Sequence, residues 1–357
     1  MGTRAAHEKW LADLTHLPTA SGQEDAVVAW VSAWAARRSD LKLEIDSGGN
    51  VIITQKGRKA RPPLFAVAHM DHPAFVIGEV KGSDVRYEFR GGVNPEYFSL
   101  ARVEVVSRPG KTSGKVVTYD PETSTGVIEG DGFLPGDIAY FRMRKPRARK
   151  GRFAAPACDD LAGAAAALAA LDRARRRDAL RHFGVLLTRA EEVGLVGAVH
   201  AAKHRTIPHH SRVLSIETSR ELPNARIGDG PIIRTGDYST MFDRELTNKI
   251  TRSARVNSLR HQRRLMDGGS CEATAFGGYG FQCTGLCLAL GNWHNRGNLD
   301  RVEAGDGEAI PMLEEISIDD FHGLVDLLLL AASAVDDDYS LEHSLDELYE
   351  ERAHYLS

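Results

Sequence analysis

Short apolar runs that alternate with helix-length segments are the feature that most constrains the fold of this 357-residue chain. Four runs are typical of buried strands and cover residues 64–68, 183–187, 213–216 and 286–290. Helical spacing of apolar residues follows them or lies between them, at residues 161–175, 194–203 and 317–335. Strands and helices that alternate in this way indicate a mainly parallel or mixed sheet covered by helices. We therefore predict an α/β fold with a central mixed sheet flanked by helices.

The N-terminal part of the chain adds two helices and a hairpin to this prediction. Helical patterns cover residues 8–17 and 23–37. Residues 41–45 alternate like a strand, and residues 51–54 return after a turn rich in glycine. The acidic tail, residues 336–357, predicts a surface helix or a contact between subunits.

A different pattern occupies the region between about residues 76 and 155. Short alternating runs are separated by glycines, and no long helical pattern appears. This pattern predicts a small β-barrel-like domain, residues 76–155, inserted into a larger domain made of residues 1–75 and 156–357. The basic run at residues 142–150 closes the insert. Such a run is usually a solvated loop; contact with an acidic substrate or a neighbouring subunit is the less favoured interpretation.

Composition excludes several classes of protein. The chain is 42% hydrophobic and 26% charged, which is typical of a soluble globular protein. A net charge of -4 gives no indication of a nucleic-acid partner. The start has no signal-peptide core, and the longest apolar run, residues 327–332, is too short for a membrane span. The four cysteines form no C-x-x-C pair, so we expect reduced thiols in a cytoplasmic protein.

Polar residues with metal-binding side chains follow the apolar runs or lie at turns. The five candidate ligands are His69, Asp159, Glu192, Glu217 and His294. Two imidazoles and three carboxylates suit Zn²⁺, Co²⁺ or Mn²⁺. Five ligands exceed the three of a mononuclear catalytic zinc site. They suit two ions about 3.5–4 Å apart, provided that one carboxylate bridges them.

Two further carboxylates lie beside the candidate ligands. Asp71 follows His69 by two residues, which places it on the same side of an extended chain. It is therefore a candidate to orient the imidazole. Glu191 adjoins Glu192, so one of the pair can bind metal while the other moves a proton. Adjacency alone does not say which residue has which role.

Each candidate also has a simpler interpretation. The alternatives are a hydrogen-bonded His69, Asp159 as a helix cap, Glu192 in an acidic helix start, Glu217 paired with Arg220, and His294 packed on Trp293. Recurrence at the ends of apolar runs favours a metallohydrolase over five separate explanations.

The sequence resembles the tetrahedral aminopeptidases and glutamyl-aminopeptidase-like enzymes, a branch of the dinuclear zinc exopeptidases. The resemblance spans roughly residues 22–329, and the acidic block at 191–198 is its most specific part. The matching motifs are residues 68–71 (Ala-His-Met-Asp), 157–163 (Ala-Cys-Asp-Asp-Leu-Ala-Gly), 191–198 (Glu-Glu-Val-Gly-Leu-Val-Gly-Ala), 215–218 (Ser-Ile-Glu-Thr), 230–234 (Gly-Pro-Ile-Ile-Arg) and His294.

The resemblance implies a role for each site residue. His69 and Glu217 would bind one divalent ion, Glu192 and His294 the other, and Asp159 would bridge them. Glu191 would be the general base and acid, and Asp71 would orient His69. Zinc is the first expectation for both ions, with cobalt or manganese as alternatives. The resemblance also implies peptide substrates, a β domain between the first two motifs, and assembly into homo-oligomers from dimers to dodecamers.

Four departures from the family pattern bear on substrate choice. His72 and Pro73 stand where a Glu usually follows the first motif, and Glu217 stands where Asp is typical. Leu161 replaces an Arg. Residues 270–273 (Ser-Cys-Glu-Ala) replace Gly-Thr-Asp-Ala, so Glu272 is a candidate to hold a substrate amine, with an ordinary polar loop residue as the equal alternative.

The favoured function is removal of N-terminal residues from peptides. A metal-dependent carboxypeptidase or amide deacylase of the related exopeptidases is the alternative, and the longer carboxylate of Glu217 lends it some support. A peptide-binding scaffold without catalysis is less favoured, because it has no need of Glu191. An endoglucanase is disfavoured as well, since glycosidases use two opposed carboxyls without metal.

Overall fold

The computed structural model describes residues 3–57, 61–338 and 340–356. The strands, in chain order, are β1 (Leu41–Ile45), β2 (Val51–Gln55), β3 (Leu64–His69), β4 (Ala74–Lys81), β5 (Asp84–Arg90), β6 (Arg102–Val105), β7 (Ser113–Asp120), β8 (Thr125–Glu129), β9 (Ile138–Phe141), β10 (Arg152–Ala155), β11 (Phe183–Thr188), β12 (Arg212–Arg220), β13 (Ile232–Gly236), β14 (Gln262–Leu265), β15 (Gln282–Leu290), β16 (Arg296–Gly297), β17 (Ile310–Pro311) and β18 (Glu314–Ser317). The α-helices are α1 (Arg4–Leu14), α2 (Asp25–Ala36), α3 (Leu161–Ala174), α4 (Val196–Lys203), α5 (Arg244–Val256), α6 (Glu272–Gly278), α7 (Leu299–Glu303), α8 (Ile318–Ala334) and α9 (Leu341–Arg352). Short 3₁₀ helices lie at Pro95–Phe98, Asp178–Leu180, Trp293–Asn295 and Ala353–Leu356.

An eight-stranded mixed sheet is the centre of the larger part of the molecule. Its strand order is β1-β2-β11-β3-β12-β15-β13-β14. The four middle strands β11, β3, β12 and β15 run parallel, whereas β2 and β13 are antiparallel to their neighbours β11 and β15. The carboxyl ends of the four parallel strands therefore meet at one edge, where ligands bind in open α/β sheets.

Helices cover both faces of this sheet. On one face, α1, α2, α3, α5 and α8 share a core with the strands. Thirteen of the fourteen residues of α3 are buried, which explains its composition: alanine favours helix and is small enough for close packing on both sides. On the other face, α4 and α6 pack against Phe65, Val67 and Leu186.

The second body is a closed six-stranded barrel with the order β4-β5-β8-β7-β6-β9. Aromatic rings fill it, and Phe75 makes edge-to-face contacts with Tyr87, Phe89 and Phe141 at 4.8–4.9 Å between ring centroids. The mixed sheet and the barrel confirm the fold class predicted from the sequence. The boundaries at residues 76 and 155 stay a prediction.

Several predicted elements shift at their ends. The first helix begins at Arg4, because the hydroxyl of Thr3 accepts the N–H of Ala6 and caps it. Helix α4 begins at Val196, two residues after the predicted start, because Gly194 has φ 114° and Leu195 φ 59°. The tail forms the predicted surface helix, α9, which has no buried residue.

All four cysteines are buried and none is paired. Within the described residues, no helix has the length and apolarity that crossing a membrane requires.

Candidate metal centre

The candidate ligands converge at the carboxyl edge of the parallel strands. His69 is the last residue of β3 and lies opposite Thr188, the last residue of β11. Glu217 lies within β12, three residues before its end. His294 follows β15, and Asp159 precedes α3. Glu192 lies in the loop after β11. Two neighbouring strands and three loops thus bring residues far apart in sequence to one place.

Asp159 lies between the two histidines. Its Oδ1 is 3.4 Å from Nε2 of His69, and its Oδ2 is 3.5 Å from Nε2 of His294. On the far side, Nε2 of His294 is 3.2 Å from Oε1 of Glu192. All four side chains are nearly completely buried.

The five side chains form two groups of three that share Asp159. His69, Asp159 and Glu217 offer ligand atoms within 4.8 Å of one another, and so do Asp159, Glu192 and His294. Glu191 joins this arrangement from the cavity side, with Oε2 3.8 Å from Nε2 of His69. All the residues predicted as ligands are therefore brought together.

Three buried carboxylate oxygens in these groups accept no hydrogen bond: Oδ1 of Asp159, Oε1 of Glu192 and Oε1 of Glu217. Buried polar atoms are normally satisfied, and an uncompensated buried charge is strongly destabilising. A cation placed among these oxygens and the imidazole nitrogens would satisfy them. The residues present thus fit divalent metal ions with mixed nitrogen and oxygen ligands.

The protonation behaviour of the cluster reflects its excess of negative charge. Burial raises the pKa of Glu217 to about 8; the charges of His69 and Arg234 oppose the rise, whereas that of Asp159 adds to it. Burial alone would lower the pKa of His294, but Glu192 and Asp159 raise it to about 10. Each group takes up a proton where a cation would otherwise balance the charge.

Asp71 holds the acidic pair in place. Its carboxylate accepts the backbone N–H of Glu191 at 3.0 Å and that of Glu192 at 3.1 Å, and the hydroxyl of Ser21 at 2.6 Å. Its Oδ1 lies 3.4 Å from Nδ1 of His69, while the backbone oxygen of Asp71 is 3.1 Å from the same nitrogen. The orientation of His69 thus involves both the carboxylate and the backbone of Asp71.

Glu314 is a buried carboxylate beside the candidate ligands that no sequence pattern predicted. Its carboxylate accepts the backbone N–H groups of Cys158, Asp159 and His294 at 2.7, 3.0 and 2.8 Å. It lies in β18, twenty residues beyond His294, and belongs to no recognised motif. Two adjacent glutamates at the start of a fully buried strand were the available signal.

His72, one of the departures from the family pattern, supports the same loops. Its Nδ1 lies 2.9 Å from the backbone oxygen of Asp159, and its Nε2 3.0 Å from Oδ1 of Asn295. His72 therefore links the strand that carries His69 to both ligand-bearing loops.

The structure differs from several simpler interpretations. The peptide bond Asp159–Asp160 is cis. Asp160 stands at the N-cap position of α3, but its side chain makes no capping hydrogen bond with the helix. It accepts the hydroxyl of Thr218 at 2.7 Å instead. Arg220 pairs with Asp300 and Glu303 rather than with Glu217. Glu191 and Glu192 lie five and four positions before Val196, the first residue of α4, so they are not in the first turn of that helix.

Two of the simpler interpretations do hold. Nδ1 of His69 lies at hydrogen-bond distance, 3.1 Å, from the backbone oxygen of Asp71. Trp293 packs on His294 with 4.2 Å between ring centroids. Its indole N–H also donates to Oδ2 of Asp159 at 2.9 Å.

Glu272 occupies a different place from the other candidates. It begins α6, is fully buried, and accepts the hydroxyl of Thr188. Burial raises its pKa to about 7, and its Oε2 has no hydrogen-bond partner. A role for Glu272 in holding a substrate amine stays a prediction.

A cavity of about 510 Å³ opens onto the ligand groups. Its wall includes the carboxylates of Asp159, Glu191, Glu192 and Glu217. Leu195, Leu222 and Met266 form an apolar part of the same wall. Arg220 and Arg234 line it as well, so the cavity combines four carboxylates and two arginines with room for an apolar side chain.

A model of the M42 glutamyl aminopeptidase family matches residues 123–310, slightly more than half of the chain. The chain belongs to this family. The match includes Asp159, Glu191, Glu192, Glu217 and His294, whereas His69 and Asp71 lie before it. The chain is accordingly a peptide hydrolase, and M42 enzymes are metallopeptidases. Membership confirms the resemblance found in the sequence.

Solved structures show that this M42 chain shares its fold with aminopeptidases of archaea. It is 23% identical to an aminopeptidase from Desulfurococcus kamchatkensis, with 95% of this chain and 96% of that one covered and a TM-score of 0.73. The TET1 peptidase of Pyrococcus horikoshii is 21% identical, with 91% and 99% covered and a TM-score of 0.73. A TET aminopeptidase from a marine-sediment thaumarchaeote is 20% identical, with 96% and 99% covered and a TM-score of 0.75. No curated protein is significantly similar to this chain.

Proposed function

We propose that this M42 enzyme is a dinuclear-metal aminopeptidase that removes N-terminal residues from peptides. The observation that carries the proposal is the position of Asp159 between two three-residue ligand groups whose buried oxygens have no hydrogen-bond partner. His69 and Glu217 would hold one divalent ion, Glu192 and His294 the second, and Asp159 both. Zinc is the first expectation, with cobalt or manganese as alternatives.

The protein supplies the proton transfers. Divalent ions in these positions would polarise the scissile carbonyl and make water more acidic. Glu191 lines the cavity beside His69, with its carboxylate 13% exposed, so it can reach a water in the cleft. It accepts the proton of the attacking water and passes it to the leaving amine. Asp71 fixes the position of Glu191 through the backbone hydrogen bond.

A free N-terminus needs a carboxylate that the metal ions do not occupy. An α-ammonium group is cationic at neutral pH, and Glu272, a buried carboxylate outside the five ligands that accepts the hydroxyl of Thr188 at the end of β11, is the candidate to hold it. The apolar part of the cavity wall would then receive the side chain of the first residue. An acetylated N-terminus offers no charge to this carboxylate, so an aminopeptidase should reject it, whereas an amide deacylase need not.

Assembly into homo-oligomers is part of the proposal. A structural neighbour is described as a dodecamer, and the TET1 peptidase of Pyrococcus horikoshii as assembling into a tetrahedron or a large octahedral shell. The barrel and the exposed tail helix α9 leave large surfaces available for contacts between copies. We propose an assembly between a dimer and a dodecamer.

Metal analysis and kinetics test the proposed function. Purified protein should contain close to two transition-metal ions per chain and hydrolyse amino-acid anilides but not their N-acetylated forms. Glu191→Gln should lower kcat by at least about a hundredfold, as expected for loss of a general base, while the metal content stays unchanged. Glu129→Gln, an exposed carboxylate on the barrel, is the matched control and should keep normal turnover. A protein without transition metal, or normal turnover in Glu191→Gln, would contradict the proposal.

A further inference from the structure

A second cavity of about 520 Å³ adjoins the first. Arg220 and Trp293 line both cavities. The indole of Trp293 donates to Asp159, and the guanidinium of Arg296 lies over its ring, 4.4 Å from the ring centroid. One indole therefore contacts both a candidate ligand carboxylate and an arginine of the second cavity.

Arginines dominate the wall of the second cavity: Arg147, Arg149, Arg220, Arg296 and Arg301. Three carboxylates also line it: Glu221, Asp300 and Glu315. Asp300 pairs with Arg220, and Asp306 lies 3.5 Å from Arg301, so two of the five arginines are compensated. Among the described residues, the wall arginines without a carboxylate at ion-pair distance are Arg147, Arg149 and Arg296.

Arg147 and Arg149 belong to the basic run at residues 142–150. Both are exposed, and within residues 3–57, 61–338 and 340–356 neither side chain has a carboxylate at ion-pair distance. The run is a mostly exposed loop, as the sequence favoured, and two of its arginines also lie on the wall of a cavity next to the candidate metal centre.

Arg296 is the most buried arginine of this wall. Only 7% of the residue is exposed, and its Nη1 donates to Oδ1 of Asn94 at 2.5 Å. Its guanidinium adds positive charge beneath the exposed arginines, and carboxylates match guanidinium geometry best.

We propose that the second cavity binds a carboxylate of the peptide downstream of the scissile bond. The inference rests on the proposed aminopeptidase function. The arginines of the second cavity repel the cationic α-amine and attract carboxylates of the peptide. The first residue therefore occupies the first cavity, and the rest of the chain continues past Trp293 toward Arg147, Arg149 and Arg296. Peptides with an acidic residue or a free C-terminus two or three positions after the first residue are the preferred substrates.

Two tripeptides and two double variants test the inference. The substrates are Leu-Ala-Asp with a free C-terminus and Leu-Ala-Asn amide, with leucine anilide as a substrate that lacks any downstream carboxylate. The wild type should cut the acidic tripeptide with a kcat/KM about tenfold higher, a typical effect of one favourable charge pair. Arg147→Ala/Arg149→Ala should remove this preference by raising KM and leave anilide hydrolysis unchanged. Lys145→Ala/Lys150→Ala, which removes the same charge from the same run outside the cavity wall, should keep the preference.

Two results would overturn the inference. One is equal kcat/KM of the wild type for both tripeptides. The other is the same loss of the preference for the acidic tripeptide in the lysine variant as in the arginine variant, which would indicate only the general positive charge of the run. If the wild type cuts neither the anilide nor the peptides, the proposed function fails instead. Calorimetric titration of the same two tripeptides then decides the inference alone. The acidic one must bind about tenfold more tightly to the wild type than the amide, and no more tightly to the arginine variant.

Discussion

Glu314 and His294 are joined by a hydrogen bond of 2.8 Å from the backbone N–H of His294 to the carboxylate. The same carboxylate accepts the N–H groups of Cys158 and Asp159. One buried side chain therefore connects the loop before α3, which carries Asp159, to the loop after β15, which carries His294. It does so without lying in either loop.

We expect Glu314→Ala to weaken metal binding about 10–100-fold, as is usual when a supporting hydrogen bond to a ligand is lost. Three buried N–H groups would lose their acceptor, each at a cost of about 1–3 kcal/mol. Metal titration monitored by competition with a chromogenic chelator measures the affinity, and thermal unfolding measures the stability. Glu314→Gln keeps one carbonyl oxygen and should be intermediate.

Glu315→Gln is the control for this prediction. Its side chain lies 3.7 Å from Arg152 and holds neither ligand loop. Equal metal affinity in Glu314→Ala and Glu315→Gln would contradict the assigned role of Glu314.

Removal of the metal ions should lower stability as well as activity. The buried oxygens of Asp159, Glu192 and Glu217 would then lack a partner. Ligands that bind only the folded state stabilise it by about 2.7 kcal/mol at a hundred times Kd. The melting temperature should therefore fall on chelation and recover when zinc is added. Asp159→Asn, whose remaining oxygen can still accept the indole N–H of Trp293, should show little shift with zinc. The same zinc-dependent shift in both proteins would place the ions elsewhere.

Gly163 lies in the first turn of α3, where alanine would ordinarily favour the helix by about 1 kcal/mol. A Cβ atom at this position would lie 2.3 Å from Oδ1 of Asp160 and 2.6 Å from Cγ2 of Ile216. We expect the clash to dominate, so that Gly163→Ala destabilises the protein by about 1–3 kcal/mol. Urea unfolding measures the difference. Gly278→Ala, in α6 with open space around its added Cβ, should leave stability equal or slightly higher.

Asp172 contributes stability that depends on pH. It is buried, and Arg38 and Arg175 donate to it at 2.9 and 3.1 Å. Burial alone would raise its pKa, but these arginines lower it below the usual range. Because the folded-state pKa is depressed, the stabilisation is complete above the unfolded-state pKa of about 3.9 and is lost as the pH falls through the lower folded-state value.

Asp172→Asn should therefore be less stable than the wild type at pH 7, by about 3 kcal/mol for a broken buried ion pair. The difference should be the same at pH 5.5 and shrink below pH 4. Denaturant unfolding of both proteins at pH 7, at pH 5.5 and below pH 4 measures this difference in the free energy of unfolding. A difference that grows at low pH would show that the ionised carboxylate is not the stabilising form.

The elements of the fold that the sequence predicted are those with local signals. The strands that end near His69 and Thr188 are apolar throughout, and α3 and α8 have long uninterrupted patterns. Strand β14 was not predicted, because Gln262, Arg263 and Arg264 form a polar strand at the edge of the sheet. Helix α5 was overlooked although Leu246, Ile250 and Ala254 recur at helical spacing and are buried.

The sequence by itself determined the candidate ligands, since each follows an apolar run or lies at a turn and matches a motif of the family that the chain resembles. Only the tertiary structure decided how they are supported and what surrounds them. Glu314 accepts a hydrogen bond from Asp159, which lies 155 positions earlier in the chain. Arg296 lines the same cavity as Arg147 and Arg149 of the basic run. Such contacts depend on how strands order themselves in a sheet and how loops pack over its edge. No local pattern of residues encodes those distances, whereas a buried strand and the polar residue that ends it are written in neighbouring positions.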